Sequence, residues 1–345
     1  MKHLTLLSAV ACLALCACQP PPIPPMDEKL SYRDDLTVHP ACNVNGLTYT
    51  AATITGFTCA AKEYAFPQGV SEDTHKPIVL LFHGNSSSPA DFETFSGDSA
   101  ATPMLSERLV AAGFKTYAVD FRYLTVDDPS SSNPAKNFDH AWATPIAEHF
   151  IESVMKANPS RKVSMVGFSL GTTIIRDALR RLAVKGGFDW SRVQDLVLTA
   201  GANHGVSSYR QLCDPNNTSM RNTVACQLGD RTAYTPTEFL SLVNGEADAW
   251  DTPCADGEHA FGVGSQCYGH KVQYTTIVMK DVSQGTYQDE FVSEASAQLG
   301  GADNQKLELT DNDATNYFYN GLFKNHFGSI RSEHALQIAV DALSN

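Results

Sequence analysis

The runs "KPIVLLFHG", "FKTYAVDFR", "KVSMVGFS", "VQDLVLTAG" and "VQYTTIVMK" are short and almost continuously apolar. Strands with no polar face must be buried on both sides, and that is the pattern of a parallel sheet rather than of an open antiparallel one. Between them lie stretches of helical period. "MLSERLVAAG" reads as a helix ended by Gly113, and "TPIAEHFIESVMKANPS" as one stopped before Pro159. In "LGTTIIRDALRRLAVKGG" the residues Ile174, Ile175, Ala178, Leu179 and Leu182 fall on one side. "EFVSEASAQLGG" is expected as a further helix, "QKLELT" as a strand and "SEHALQIAVDALS" as the closing helix. Strands alternating with helices predict an α/β fold, a mainly parallel sheet covered by helices on both faces. The early stretch "GLTYTAATITGFTCAAKEYAF", rich in Thr and Tyr, reads as a hairpin. With 345 residues, 43% of them hydrophobic, the chain can fill one large core.

The net charge of −13 argues against nucleic acid as a partner, because phosphate binding needs clustered Lys and Arg. No obligate protein partner is evident. The start "MKHLTLLSAVACLALCACQP" reads as an export signal: a short basic end, then an apolar run too short to span a bilayer. Its end resembles the lipobox of bacterial lipoproteins, with Leu15 and Ala17 before the lipid-bearing Cys18. Cys16 departs from the usual small or hydroxyl residue. The resemblance implies residues 1–18 as a signal peptide and a membrane attachment through lipid on Cys18. Gln19 resembles the residue that sends such proteins to the outer membrane or cell surface. A soluble secreted or periplasmic form is the alternative. "QPPPIPP" opens a stiff tether over 19–35, and 36–345 form the folded domain.

Nine cysteines are present, and Cys12, Cys16 and Cys18 belong to the signal. The others, Cys42, Cys59, Cys213, Cys226, Cys254 and Cys267, form no CxxC, so disulfides are expected rather than zinc. Local pairs Cys42–Cys59, Cys213–Cys226 and Cys254–Cys267 are favoured. Interleaving of the last four is the alternative. The interval from Gly201 to Val272 lacks strong periodicity and holds four of these cysteines. It is expected as a disulfide-stapled, cap-like insertion at about 203–271, over the carboxyl ends of the strands.

The chemistry-bearing stretch is Gly167-Phe168-Ser169-Leu170-Gly171. GxSxG alone is a weak pattern, since a serine before a helix is often only an N-cap. Here an apolar strand precedes it and a helix follows, which is the setting of a nucleophile elbow. A serine hydroxyl needs a base to accept its proton and N–H donors for the developing oxyanion. Leu170 N–H is one expected donor. "LLFHGNSSSPADF" supplies the other in the backbone of Asn85, with His83 serving loop geometry.

The ordered set "FHGN", "GFSLG" and "TAGANHG", followed by a late acid and histidine, resembles the secreted bacterial lipases and esterases of the α/β-hydrolase superfamily. Within it Gly201-Ala202-Asn203-His204-Gly205 is similar to a loop in which the histidine is structural or lines the pocket, and is not the base. The resemblance implies a triad in the order serine, acid, histidine. Asp289, before "EFV", resembles the superfamily's acid loop, and Asp281, directly after the strand "YTTIVMK", is the alternative acid. His326 precedes the last helix and is the expected base, ahead of His334. The implied function is a serine carboxylic-ester hydrolase, working through an acyl-enzyme on an apolar ester and needing no cofactor or metal. "DPNN" and "DNDAT" carry oxygens that a calcium ion takes, but such runs are usually solvated turns. "NYFYNGLF" brings aromatic side chains near His326, as an acyl site or as core. A depolymerase of hydroxyalkanoate or aromatic polyesters, a peptidase, and a non-catalytic surface lipoprotein on the same fold are the other readings.

Overall fold

The computed structural model describes residues 47–94, 103–121, 139–185, 187–213, 223–229, 238–244, 272–281, 285–310 and 323–344. The expected signal, lipidation site Cys18 and tether lie outside these residues. So do Cys42, Cys254, Cys267, "DPNN", "DNDAT" and most of "NYFYNGLF".

The strands are β1 (Ala61–Glu63), β2 (Ile78–Phe82), β3 (Thr116–Val119), β4 (Val163–Phe168), β5 (Val193–Thr199), β6 (Gln273–Met279) and β7 (Asp303–Leu307). The helices are α1 (Leu105–Ala111), α2 (Asp139–Ala157), α3 (Leu170–Lys185), α4 (Val224–Leu228), α5 (Glu238–Asn244), α6 (Glu294–Ala297), α7 (Lys324–Arg331) and α8 (Glu333–Ser344). The strands form one sheet in the order β1-β3-β2-β4-β5-β6-β7. All neighbours run parallel except β1, which lies antiparallel to β3.

Every residue of β2 and β4 is buried, because alternate side chains serve two cores. Ile78, Leu80 and Phe82 face one core with Phe150 and Ile174, from α2 and α3. Val79 and Leu81 face the other, with Leu105, Leu109 and Leu336 from α1 and α8. The mainly parallel, doubly covered sheet is thus as the apolar runs require.

The early stretch is not a hairpin. A single antiparallel bridge joins Ala51 to Lys62, and β1 forms its ladder with β3 instead. The physical reason is that Ile54 and Phe57 turn into the core, where Phe57 packs on Phe150 with ring centroids 5.2 Å apart. The stretch "EFVSEASAQLGG" yields one helical turn, α6, capped by the Ser293 hydroxyl. Its groups bond elsewhere. Ser296 O accepts from His204 N–H at 3.1 Å, and Ala297 O accepts from Asn203 Nδ2 at 2.7 Å. Helix α2 begins ahead of the expected "TPIAEH" and carries Pro145 inside it. Strand β7 begins at Asp303, ahead of "QKLELT".

The strand order reverses beside β2: β3 lies on one side of it and β4 on the other. Connections leave in opposite directions there, so a crevice opens at the carboxyl ends of β2 and β4.

Phe150 is fully buried, touching Phe57 and lying edge-on to Phe82 with centroids 5.9 Å apart. Phe150→Ala is expected to lower unfolding free energy by about 3–5 kcal/mol. Urea denaturation checks this, and a loss below about 1 kcal/mol would show that α2 is not held through this ring.

Candidate active site

Ser169 sits between the end of β4 and the start of α3 with φ 53°, a left-handed conformation that a side chain adopts at a cost of about 1–3 kcal/mol. The turn is pinned on both sides. Ser169 N–H donates to Thr199 O at 2.9 Å, and Ser169 O accepts from Thr172 N–H at 3.1 Å and Thr172 Oγ1 at 2.8 Å. The flanking glycines are a packing requirement. A Cβ on Gly167 would lie 2.8 Å from Thr172 Cα, and one on Gly171 would run into the Phe82 carbonyl and lie 2.8 Å from His83 O. Helix and strand therefore touch through backbone, which a simple N-cap serine does not need.

Leu170 is the first residue of α3, so its N–H is among those with no acceptor within the helix, at the positive end of the helix dipole. The loop after β2 lies against it. A Cβ on Gly84 would meet Ser169 Cβ at 3.2 Å. Gly84 N–H donates to Asp91 Oδ2 at 2.9 Å, and the Ser87 hydroxyl donates to Asp91 Oδ1. Asp91 is buried, and burial pushes its carboxyl pKa up despite His83, Ser87, the Gly84 amide and Arg331. Asn85 follows in the cavity wall. His83 accepts from Phe121 N–H at Nε2, 3.0 Å, so its Nδ1–H donates to Gly84 O at 2.9 Å. Both ring nitrogens are thereby used in holding this loop.

His326 lies in the first turn of α7, and its Nδ1–H donates to Asp289 Oδ2 at 2.7 Å. The other carboxylate oxygen of Asp289 accepts the N–H groups of Phe291, at 2.7 Å, and Val292, at 2.6 Å. Asp281 is elsewhere, closing a small turn in which its N–H donates to Thr286 O and its carbonyl accepts from Gly285 N–H. The structure thus brings Asp289, and not Asp281, to His326. His334 falls within α8. Burial of the imidazole opposes its charging, but the Asp289 carboxylate, with Glu290 and Asp91 beyond it, outweighs this, and the His326 pKa is raised above 6.5. The ring is also packed: Phe168 and Phe291 each lie 5.0 Å from it, centroid to centroid.

Ser169, Leu170, Asn85 and His326 line one cavity of about 550 Å³. Among the described residues the non-glycine residues with positive φ are Ser86, Ser169, Ala200 and Phe323, and all but Ala200 line this cavity. Strain gathers at this one place. The far wall is apolar and comes from the Cys213–Cys226 disulfide region: Val206, Tyr209 and Leu212 before the bridge, Val224 and Leu228 around it. The stapled segment is therefore part of the cavity. Cys59 is disulfide-bonded as well. Asn203 is fully buried, and its carbonyl accepts from Asn244 Nδ2 at 2.8 Å, which ties α5 beneath the same wall. His204 bonds Ser296 through its N–H and Nδ1, the structural place implied for it.

Sequence reasoning missed Asp91 and Glu290. Asp91 stands in "SSSPADF", which looks like a solvated turn. Glu290 accepts the N–H of Asn325 at 3.0 Å and of His326 at 2.8 Å, and no local pattern links residues so far apart.

A family model described as the alpha/beta hydrolase fold matches residues 77–217. Among solved structures, the mature form of a lipase from Bacillus licheniformis matches with a TM-score of 0.50 and 15% identity, over 82% of this chain and 98% of that one. Lipase B from Aspergillus fumigatus matches with a TM-score of 0.49 and 17% identity, over 92% of this chain and 65% of that one. A dienelactone hydrolase from Anabaena variabilis matches at 0.42 and 13%, over 86% and 96%. No curated protein matches the chain by sequence. At such identities the likeness is one of fold, and the chain has the α/β-hydrolase fold.

Gly171→Ala is expected to destabilise the protein by about 1–3 kcal/mol, because the added methyl meets carbonyl oxygens and no flexible side chain. Denaturant midpoints measure it, and a variant as stable as the parent would contradict the close packing of β2 on α3.

Proposed function

We propose that the chain is a serine carboxylic-ester hydrolase of the lipase and esterase kind, acting through an acyl-enzyme. The observation that carries this is a strained Ser169 sharing an apolar cavity with a His326 whose Nδ1–H is held by Asp289 at 2.7 Å. With Nδ1 so engaged, Nε2 is the nitrogen left to take a proton. In this reading Nε2 accepts the Ser169 proton as Oγ attacks the ester carbonyl. Leu170 and Asn85 N–H groups receive the oxyanion. The protonated imidazole, stabilised by Asp289, then donates to the leaving alcohol, and water, deprotonated by the same nitrogen, releases the acid.

The apolar wall supports an ester with an apolar acyl or alcohol part. One observation favours polyesters as a second reading: Leu212 and Phe323, each 40% exposed, both line the cavity and stand as apolar groups open to solvent. Such a rim suits a chain presented by a solid apolar surface. Export and lipid attachment through Cys18 belong to the same proposal, since a polymer or a lipid ester is met outside the cell.

The tests are a profile of hydrolysis over ester chain lengths and solid polyesters, and a pH series. Ser169→Ala is expected to abolish hydrolysis while folding normally. Asp289→Asn is expected to lower kcat by about 10⁴-fold and Asp281→Asn to change it little. His326 must be neutral to act as base, so kcat/KM falls as the pH drops through its pKa, which the Asp289 carboxylate raises above the ordinary histidine value. An Asp281→Asn variant worse than Asp289→Asn, or a Ser169→Ala variant that keeps substantial activity, would overturn the assignment.

A further inference from the structure

Helix α7 carries His326 in its first turn, yet its own N-cap residue supplies no side-chain bond. That residue is Phe323, at φ 59°. The N–H groups of a helix's first turn need acceptors from elsewhere. Here they come from Glu290. Its Oε1 accepts from Asn325 N–H and from Asn325 Nδ2, each at 3.0 Å, and its Oε2 accepts from His326 N–H at 2.8 Å.

Glu290 is also the neighbour of Asp289. Two consecutive carboxylates thus grip one residue at its two ends, Asp289 at the imidazole and Glu290 at the main chain. A single Nδ1–Oδ2 bond would leave the ring free to pivot about that contact. Fixing the backbone nitrogen of the same residue removes the pivot. The gripping turn is itself locked, since Asp289 Oδ1 holds the N–H groups of Phe291 and Val292. Phe291 closes the arrangement, lying edge-on to the imidazole at 5.0 Å and 4.7 Å from Phe323.

We propose that Glu290 is a positioning residue for His326, acting through the backbone of α7 to hold Nε2 where Ser169 needs it. This rests on the reading of His326 as the base. The ionised carboxylate also adds negative charge beside the ring. Among the described residues, the charged groups that act most on the imidazole are Asp289 and Glu290 from the loop after β6 and Asp91 from the loop after β2. On α7 itself, Arg331 is turned to the carbonyls of Asp91 and Glu93.

Glu290→Gln keeps the size, removes the charge and sets an NH2 against one of the backbone donors. In the full chain kcat is expected to fall about 10- to 100-fold, as for a catalytic group displaced by a fraction of an ångström, with KM changed less than about threefold. The acid limb is expected to move to lower pH, because one carboxylate that favours the imidazolium is gone. Glu290→Asp retains the charge, so its acid limb is expected to stay in place while kcat lies between parent and Gln variant. It also carries the comparison if the Gln variant does not fold. A purely structural role predicts a lower Tm with kcat per active site and acid limb unchanged, and that result would overturn the proposal. Titration of His326 by NMR separates this from failure of the wider reading. A lowered His326 pKa in Glu290→Gln, in a parent protein that hydrolyses no ester, would sink the hydrolase and leave the contact. An unmoved pKa with active parent enzyme would sink the role of Glu290.

Discussion

A parallel sheet exposes the carboxyl ends of its strands on one edge, and neighbouring connections that turn the same way cover that edge. Between β2 and β4 they turn opposite ways, and the helices part. The part of the cavity around Ser169 follows from this. The loop after β2 and the turn after β4 meet at the gap, and they meet closely because Gly84, Gly167 and Gly171 have no side chain to hold them apart. Ser169 is left at the tip in a left-handed conformation, held there by bonds from β5 and from α3.

The second half of the site arrives by a different route. The loop after β6 lines the same cavity through Phe291 and Val292. It reaches α7, and α7 lies against β6 in the same fold edge. The Asp289–Glu290 pair makes that loop and that helix one unit, while Asp91, buried under the loop after β2, steadies the other side. Arg331 links the two sides, since it lies on α7 and donates to the carbonyls of Asp91 and Glu93. The third wall is the Cys213–Cys226 region, where a covalent bridge ties α4 to the segment that ends at Cys213. The apolar faces of Val224 and Leu228 pack there as part of the main core rather than a separate one.

What could be read from the sequence was local. β2, β4, β5 and β6 announce themselves because strands buried on both faces are mostly apolar, with no regular alternation of polar positions. Ser169, Leu170 and Asn85 are found because a strand, a turn and a helix lie within a few residues of one another. Choosing between Asp281 and Asp289 was harder, as both follow β6. The outcome depends on the chain beyond the turn that Asp281 closes with Thr286, since it is there that Asp289 meets His326. Glu290 and Asp91 act through contacts far apart in the chain and carry no periodic signal. The hairpin expected before β2 failed for a related reason. The β-forming composition was real, but Ile54 and Phe57 had better places in the core than in a ladder.

The central claim is that His326 activates Ser169. Its most direct measurement is intact-mass and peptide analysis after exposure to an aryl phosphonate ester, a reagent that captures a serine only where a base and oxyanion donors serve it. The account predicts a single adduct on Ser169 in the parent protein and none in His326→Ala at the same exposure. An unmodified parent, an adduct on another serine, or equal labelling of the His326→Ala variant would contradict it.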